Sequence, residues 1–296
     1  MLTRLFISAF LPPMPELEQL HTYLDTLVDR YEDPEFIAKD PISIPHGFDD
    51  PRDQEVIGLY AALLAWGRRE TVLNKMAELC ERMDYAPFRF VRDFDPERDA
   101  AALEGFVHRT FQPEDAFWFT QNLSAALARH GSVEGIFADH LPEATDDAQT
   151  ALGPAIQGFS TTIYGIDPAT PQRLRKHLAR PAAGSACKRL VMYLRWMVRP
   201  GPVDLGIWTR IAPEQLMLPL DVHSGRQARA LGLLGGRKSN DWKAVRRLTT
   251  VCRAFDASDP ARYDFAFFGA GAYEESLDAR FTGDNKLDRS SLPTPR

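Results

Sequence analysis

Leu17, Leu20, Leu24, Leu27, Val28 and Tyr31 return every three or four residues with polar residues between them, which predicts an amphipathic helix over 16–31. A proline-punctuated loop follows, from Asp33 to Pro51. From Val56 to Trp66 the apolar residues occupy most faces behind an N-cap at Asp53, so a central, largely buried helix is predicted over 53–66. Gly67-Arg68-Arg69 interrupts the pattern, and Val72, Leu73, Met76, Leu79 and Cys80 restore it over 70–83, giving a helix–turn–helix pair. The same reading predicts helices over 87–93, 115–129, 133–140, 148–164, 185–198, 222–234, 241–255 and 260–268. Strand alternation is nowhere sustained and there is no repeat, so the fold class is all-α. Residues 1–15 read as an N-terminal extension, 16–272 as one helical domain able to divide into two lobes, and the polar, proline-tipped 273–296 as a flexible tail.

Composition narrows the class. A chain of 296 residues that is 44% apolar can bury a full core. The net charge of −6 argues against a polyanion partner until its distribution is considered. Between Pro171 and Arg253 stand 17 Lys and Arg against four acidic residues, a local charge of +13, which leaves −19 for the remainder. Such asymmetry predicts one positive face on an acidic body, as a protein touching phosphates would have. Solvated helix faces are the plainer source of charge runs. Cys80, Cys187 and Cys252 are widely separated, so no disulfide framework, metal site or other cofactor is expected, and a cytoplasmic setting fits. The short apolar stretch near Met1 runs into Pro12-Pro13 without a cleavage site, and no run reaches the ~18 residues of a membrane span. A monomer with no membrane association is expected.

Two segments carry candidate chemistry. Pro181 and Gly184 make a turn, Ser185 can cap, and Lys188 then lies in a helix's first turn, where the helix dipole disfavours a cation and eases deprotonation. Asp221 follows the apolar run Leu216–Leu220 and directly precedes a helix, which taken alone makes it an N-cap. Arg189, Arg195, Arg199, Arg226, Arg246 and Arg247 are candidate phosphate contacts, each equally able to serve in a salt bridge. Trp66, Trp118 and Trp196 offer stacking surfaces, though helical spacing also suits core packing. His108 and Arg109 lie between aromatics and can line a base pocket with Trp66 and His223; a buried, hydrogen-bonded His108 and a packing role for His223 are the alternatives. Cys187 reads as a small buried apolar residue.

Lys188 at a helix start, followed by Leu220-Asp221-Val222-His223 with Arg226, Arg229 and Leu231-Gly232-Leu233, resembles the active-site segments of the helix–hairpin–helix DNA glycosylases. Residues 53–83 resemble that family's early helix pair. Over 16–272 the chain also resembles an uncharacterised bacterial family of unknown function. The resemblance implies a two-lobed helical bundle, DNA as partner, and contact with a DNA phosphate at a hairpin where Gly184 and Ser185 stand. It also implies Lys188 as the nucleophile and Asp221 as its electrostatic partner. Here the hairpin's Gly-x-Gly is reduced to Ala183-Gly184, and Lys188 lies four residues past that glycine rather than one or two. The 33-residue separation of Lys188 from Asp221 is similar to the archaeal 8-oxoguanine glycosylase branch, and the four-cysteine cluster motif of some members is absent. The implied activity is removal of an oxidised base such as 8-oxoguanine, with abasic-site lyase activity and no cofactor. A noncatalytic nucleic-acid-binding helical protein and a helical interaction protein are the competing readings.

Overall fold

The computed structural model describes residues 15–143, 148–272 and 276–283, and within them every regular element is helical. In chain order the α-helices are α1 (Pro15–Tyr31), α2 (Ser43–His46), α3 (Pro51–Leu64), α4 (Arg69–Arg82), α5 (Pro87–Arg92), α6 (Pro96–Leu103), α7 (Pro113–His130), α8 (Val133–Ala138), α9 (Ala148–Gly165), α10 (Lys188–Val198), α11 (Val222–Ala230), α12 (Trp242–Phe255) and α13 (Tyr263–Ala272). Strand-like pairing among the described residues is confined to isolated bridges, such as Ser185 with Asp241. The all-α expectation holds.

Helix α3 is the centre of the core, with every residue from Glu55 to Leu64 buried. It starts before the expected boundary because Asp50, not Asp53, is the cap: the Asp50 carboxylate accepts the Arg52 N–H at 2.9 Å. Pro51 then fills the first helical position, where a missing N–H costs nothing. Asp53 instead accepts the Phe88 N–H at 2.8 Å and ties α5 to α3. At Gly58 a β-carbon would come within 2.8 Å of Met197 Cε, so the end of the Met197 side chain from α10 packs over the glycine of α3. The Tyr193 hydroxyl, donating to the Glu55 carbonyl at 2.8 Å, fixes the register of that contact.

Three departures from the sequence expectation have local causes. Helix α6 buries only Leu103, so it carries no apolar stripe, although Asp95 caps it at the Glu97 and Arg98 N–H groups. The 33–51 loop contains a 3-10 turn at Pro34–Lys39, capped by Asp33, and the short α2. The expected fraying of the tail is corrected for 276–283: Phe281 is buried against Tyr23, with ring centroids 5.3 Å apart, and the Tyr23 hydroxyl accepts the Asp278 N–H. Residues 1–14, 144–147, 273–275 and 284–296 lie outside the described residues, and so does most of the N-terminal extension. No helix among the described residues is long and apolar enough to cross a membrane.

Candidate active site

The approach to α10 is a 3-10 turn, Pro181–Ala183, ended by Gly184 at φ +78°, a left-handed conformation that favours glycine. The Gly184 carbonyl accepts the Trp242 N–H at 3.2 Å, which joins this turn to the start of α12. Ser185 does not cap the helix as expected; its hydroxyl accepts the Cys187 N–H at 3.1 Å. Cys187 is itself left-handed at φ +51°, ψ +30°, a conformation that costs a non-glycine residue roughly 1–2 kcal/mol. The helix therefore begins at Lys188, directly after the strained residue. The Cys187 thiol donates to the Ser185 carbonyl, and burial pushes it up to about 12, so it is protonated and unreactive at neutral pH.

Asp221 arrives on a different path. Leu216–Leu220 is a fully buried extended segment, held to α12 by the Leu218 N–H donating to Thr249 Oγ1 at 3.1 Å. Asp221 then caps α11, its Oδ1 accepting the Ser224 N–H at 2.9 Å and the Ser224 hydroxyl at 3.2 Å. Its other oxygen, Oδ2, lies 3.9 Å from Lys188 Nζ. The cap and the lysine partner are thus one side chain using different oxygens.

A separation of 3.9 Å is beyond hydrogen-bond length. Among the described residues the Lys188 amine bonds only to Met192 Sδ, at 3.3 Å, and a thioether is a weak acceptor. With 27% of the lysine side chain and 23% of the aspartate exposed, the pair is neither a buried structural ion pair nor a solvated one. The amine is left free to engage another group.

Lys188 opens into a cleft of about 330 Å³, walled by Asp40, Arg69, Met192, His223 and Phe268 among others. A smaller recess of about 40 Å³ shares Asp40, Lys188, Met192 and Phe268 and adds Arg195 and Asp264. The larger volume lies at the lower end of small-molecule sites, roughly 300–1,000 Å³. Burial raises the Asp40 carboxyl above the ordinary range, while the Ile42 N–H at 3.2 Å and the charges of Lys188, Arg69 and Arg195 pull it back. Asp264 is pushed up to about 6 by burial, against the Arg195 guanidinium it pairs with. Arg69 lies over the rings of Phe36 and Phe268, at 5.8 and 5.5 Å from their centroids. Sequence reasoning missed Asp40, Arg69, Phe268 and Asp264. Asp40 sits in a loop without periodicity, and the face presented by α13 is hidden in an almost wholly apolar helix.

The remaining candidates divide. His223 lines the cleft, and the Arg109 guanidinium lies across Gly67 at its lip, where a β-carbon would meet Nη1 at 2.5 Å. Trp66 and His108 are corrections: neither lines the cleft. The Trp66 ring already stacks on His177 and lies under the Arg189 guanidinium, 4.6 Å from its centroid. His108 is buried edge-on to Trp66, its Nε2 3.1 Å from the Trp66 carbonyl. Arg189 donates to the Leu63 carbonyl at the C-terminal end of α3, and burial lowers its guanidinium to about 10.

Arg195 and Arg199 are also corrections. Both are buried, at 5% and 4% exposure, and face inward onto carboxylates. Arg195 pairs with Asp204 and Asp264; Arg199 pairs with Glu32, Asp204 and Asp259. Their guanidiniums are engaged by those carboxylates, and of the two only Arg195 lines the recess. Arg226 is exposed and lies within 3.4 Å of the Gly271 carbonyl.

Residues 40–273 match a family model described as a protein of unknown function (DUF2400). No curated protein and no solved structure matches the chain. The matched span contains Asp40, Arg69, Lys188, Asp221, His223 and Phe268, so it takes in the cleft and the lysine–aspartate pair together. Covering most of the sequence as it does, the match means that this chain belongs to the DUF2400 family.

Proposed function

We propose that the chain is a DNA glycosylase with abasic-site lyase activity, that Lys188 is its nucleophile, and that its helices form the two-lobed arrangement of the helix–hairpin–helix glycosylases. The observation that carries this reading is the Lys188 amine, bonded to no oxygen or nitrogen, 3.9 Å from the Asp221 carboxylate and opening into a cleft. The carboxylate lies within ion-pair range of the amine without closing a hydrogen bond to it. A nucleophile needs an electrostatic partner close by and an open approach.

In this reading a damaged nucleotide is flipped into the cleft. The lysine attacks in its unprotonated form. A bond forms from Nζ to the sugar C1′ as the C1′–base bond breaks, and the base leaves with the electron pair and takes up a proton. Asp221 stabilises positive charge on the sugar and accepts the proton released by the amine. Opening of the sugar ring gives a Schiff base between Lys188 and C1′, from which elimination of the 3′ phosphate cleaves the strand. The internal pairing of Arg195 and Arg199 weighs against a noncatalytic binder, which would rely on a broad positive face.

Borohydride reduces such a Schiff base to a stable secondary amine. Wild-type protein is expected to form a covalent adduct with oligonucleotides carrying 8-oxoguanine or an abasic site, and Lys188→Gln to form none. No wild-type adduct, or an undiminished adduct with Lys188→Gln, removes the proposal.

A further inference from the structure

Among the acidic residues around the cleft, Asp40 is bonded differently from the others. Asp221 is engaged by Ser224, and Asp264 by Arg195. Asp40 is 9% exposed and lines both the cleft and its recess, yet the one hydrogen bond to its carboxylate among the described residues is the Ile42 N–H on Oδ1. Buried carboxyls are ordinarily matched by donors. No hydrogen bond to Oδ2 is found among the described residues, and the side chain stands in the wall shared by the cleft and its recess.

We propose that Asp40 reads the base, its carboxylate accepting the ring N–H and adjacent exocyclic amine of a guanine-type edge. This rests on the glycosylase reading. An ionised carboxylate only accepts hydrogen bonds, so its complement is an edge with neighbouring donors. Guanine and its oxidised forms present such a pair. Adenine places an acceptor beside its amine, and hypoxanthine lacks the amine. Burial raises the Asp40 carboxyl, and the charges of Lys188 and Arg69 in the same cleft oppose that rise. Phe268 and Met192 give the ring apolar walls.

The test compares 8-oxoguanine with 8-oxohypoxanthine, which differs only in lacking the 2-amino group, in single-turnover excision. Wild-type protein is expected to excise 8-oxoguanine about tenfold faster or more, the discrimination of a good bidentate contact. A wild-type ratio near one overturns the inference without any variant. Asp40→Asn is expected to bring the ratio to within about threefold of one, and to reduce excision at least about tenfold more than it reduces borohydride trapping at an abasic site, where no base is present. An unchanged ratio in Asp40→Asn, or trapping that falls in step with excision, overturns it, the latter by placing Asp40 in support of Lys188 or of the fold. If wild-type protein neither excises nor traps, the glycosylase reading has failed and this inference with it. Excision by wild type without discrimination defeats this inference alone.

Discussion

The two oxygens of Asp221 have different partners, Oδ1 the α11 cap and Oδ2 the lysine amine, and substitution can separate them. Asparagine caps helices as well as aspartate does. Asp221→Asn is therefore expected to unfold within about 1 kcal/mol of wild type in urea, while single-turnover excision falls by roughly 10²–10⁴. Equal loss of stability and activity would return Asp221 to a capping role alone. The capping role was legible in the sequence, since the apolar run and the helix pattern place an acid at the helix start, whereas its pairing with Lys188 was implied only by the glycosylase resemblance. The fates of Arg195 and Arg199 were not. Their carboxylate partners Glu32, Asp259 and Asp264 lie far off in the chain, and nothing in the spacing says that this face of α10 turns inward. Removing one partner of a buried network strands the others, so Arg199→Ala is expected to cost about 3–5 kcal/mol in urea unfolding. Weaker DNA binding at unchanged stability would instead make Arg199 a phosphate contact.

Among the elements, α3 and α10 position the site, and their contact contains a titratable group away from the cleft. Burial pushes Glu55 up to about 7 from an ordinary 4.5, even though its carboxylate accepts the Glu134 N–H at 2.5 Å. The folded state thus binds this proton more tightly than the unfolded state does. Glu55 is protonated and neutral below about 4.5 in both states, and its burial penalty grows as pH rises from about 4.5 to 7. Its contribution to stability falls over that window, by on the order of 3 kcal/mol. Urea midpoints measured across it should decline less steeply in Glu55→Gln than in wild type, and parallel curves would show that Glu55 does not set the slope. The main helices were legible from their periodicity. The start of α10 was not, because a left-handed cysteine has no sequence signal, and α6 was hidden by its small buried face.

At the scale of the molecule, the +13 of 171–253 overstates the positive face. Glu32, Asp115, Asp139, Asp259 and Asp264, all from outside that segment, pair with arginines inside it. Besides Lys188 and the carboxylate-paired Arg195, the cations near the cleft are Arg69 in its wall, Arg109 across Gly67, and the exposed Arg226 on α11 beside the end of α13. Three phosphate contacts correspond to a slope of roughly −3 for log affinity against log salt on duplex DNA. A slope steeper than about −8 would require the broad face that the internal ion pairs deny. Charge counted along a chain records which residues are cationic, but only the fold decides which meet solvent.

These scales converge on the Lys188 amine, which among the described residues is hydrogen-bonded to no oxygen and lies 3.9 Å from Asp221 Oδ2. Its most direct test is the site of attachment: borohydride-trapped complex with an abasic-site oligonucleotide is digested and the modified peptide sequenced by mass spectrometry. The sugar remnant is expected on Lys188 and on no other lysine, and to be absent when Lys188 is Gln. A remnant on Lys75, Lys238 or Lys243, or an adduct that persists in Lys188→Gln, would contradict the account.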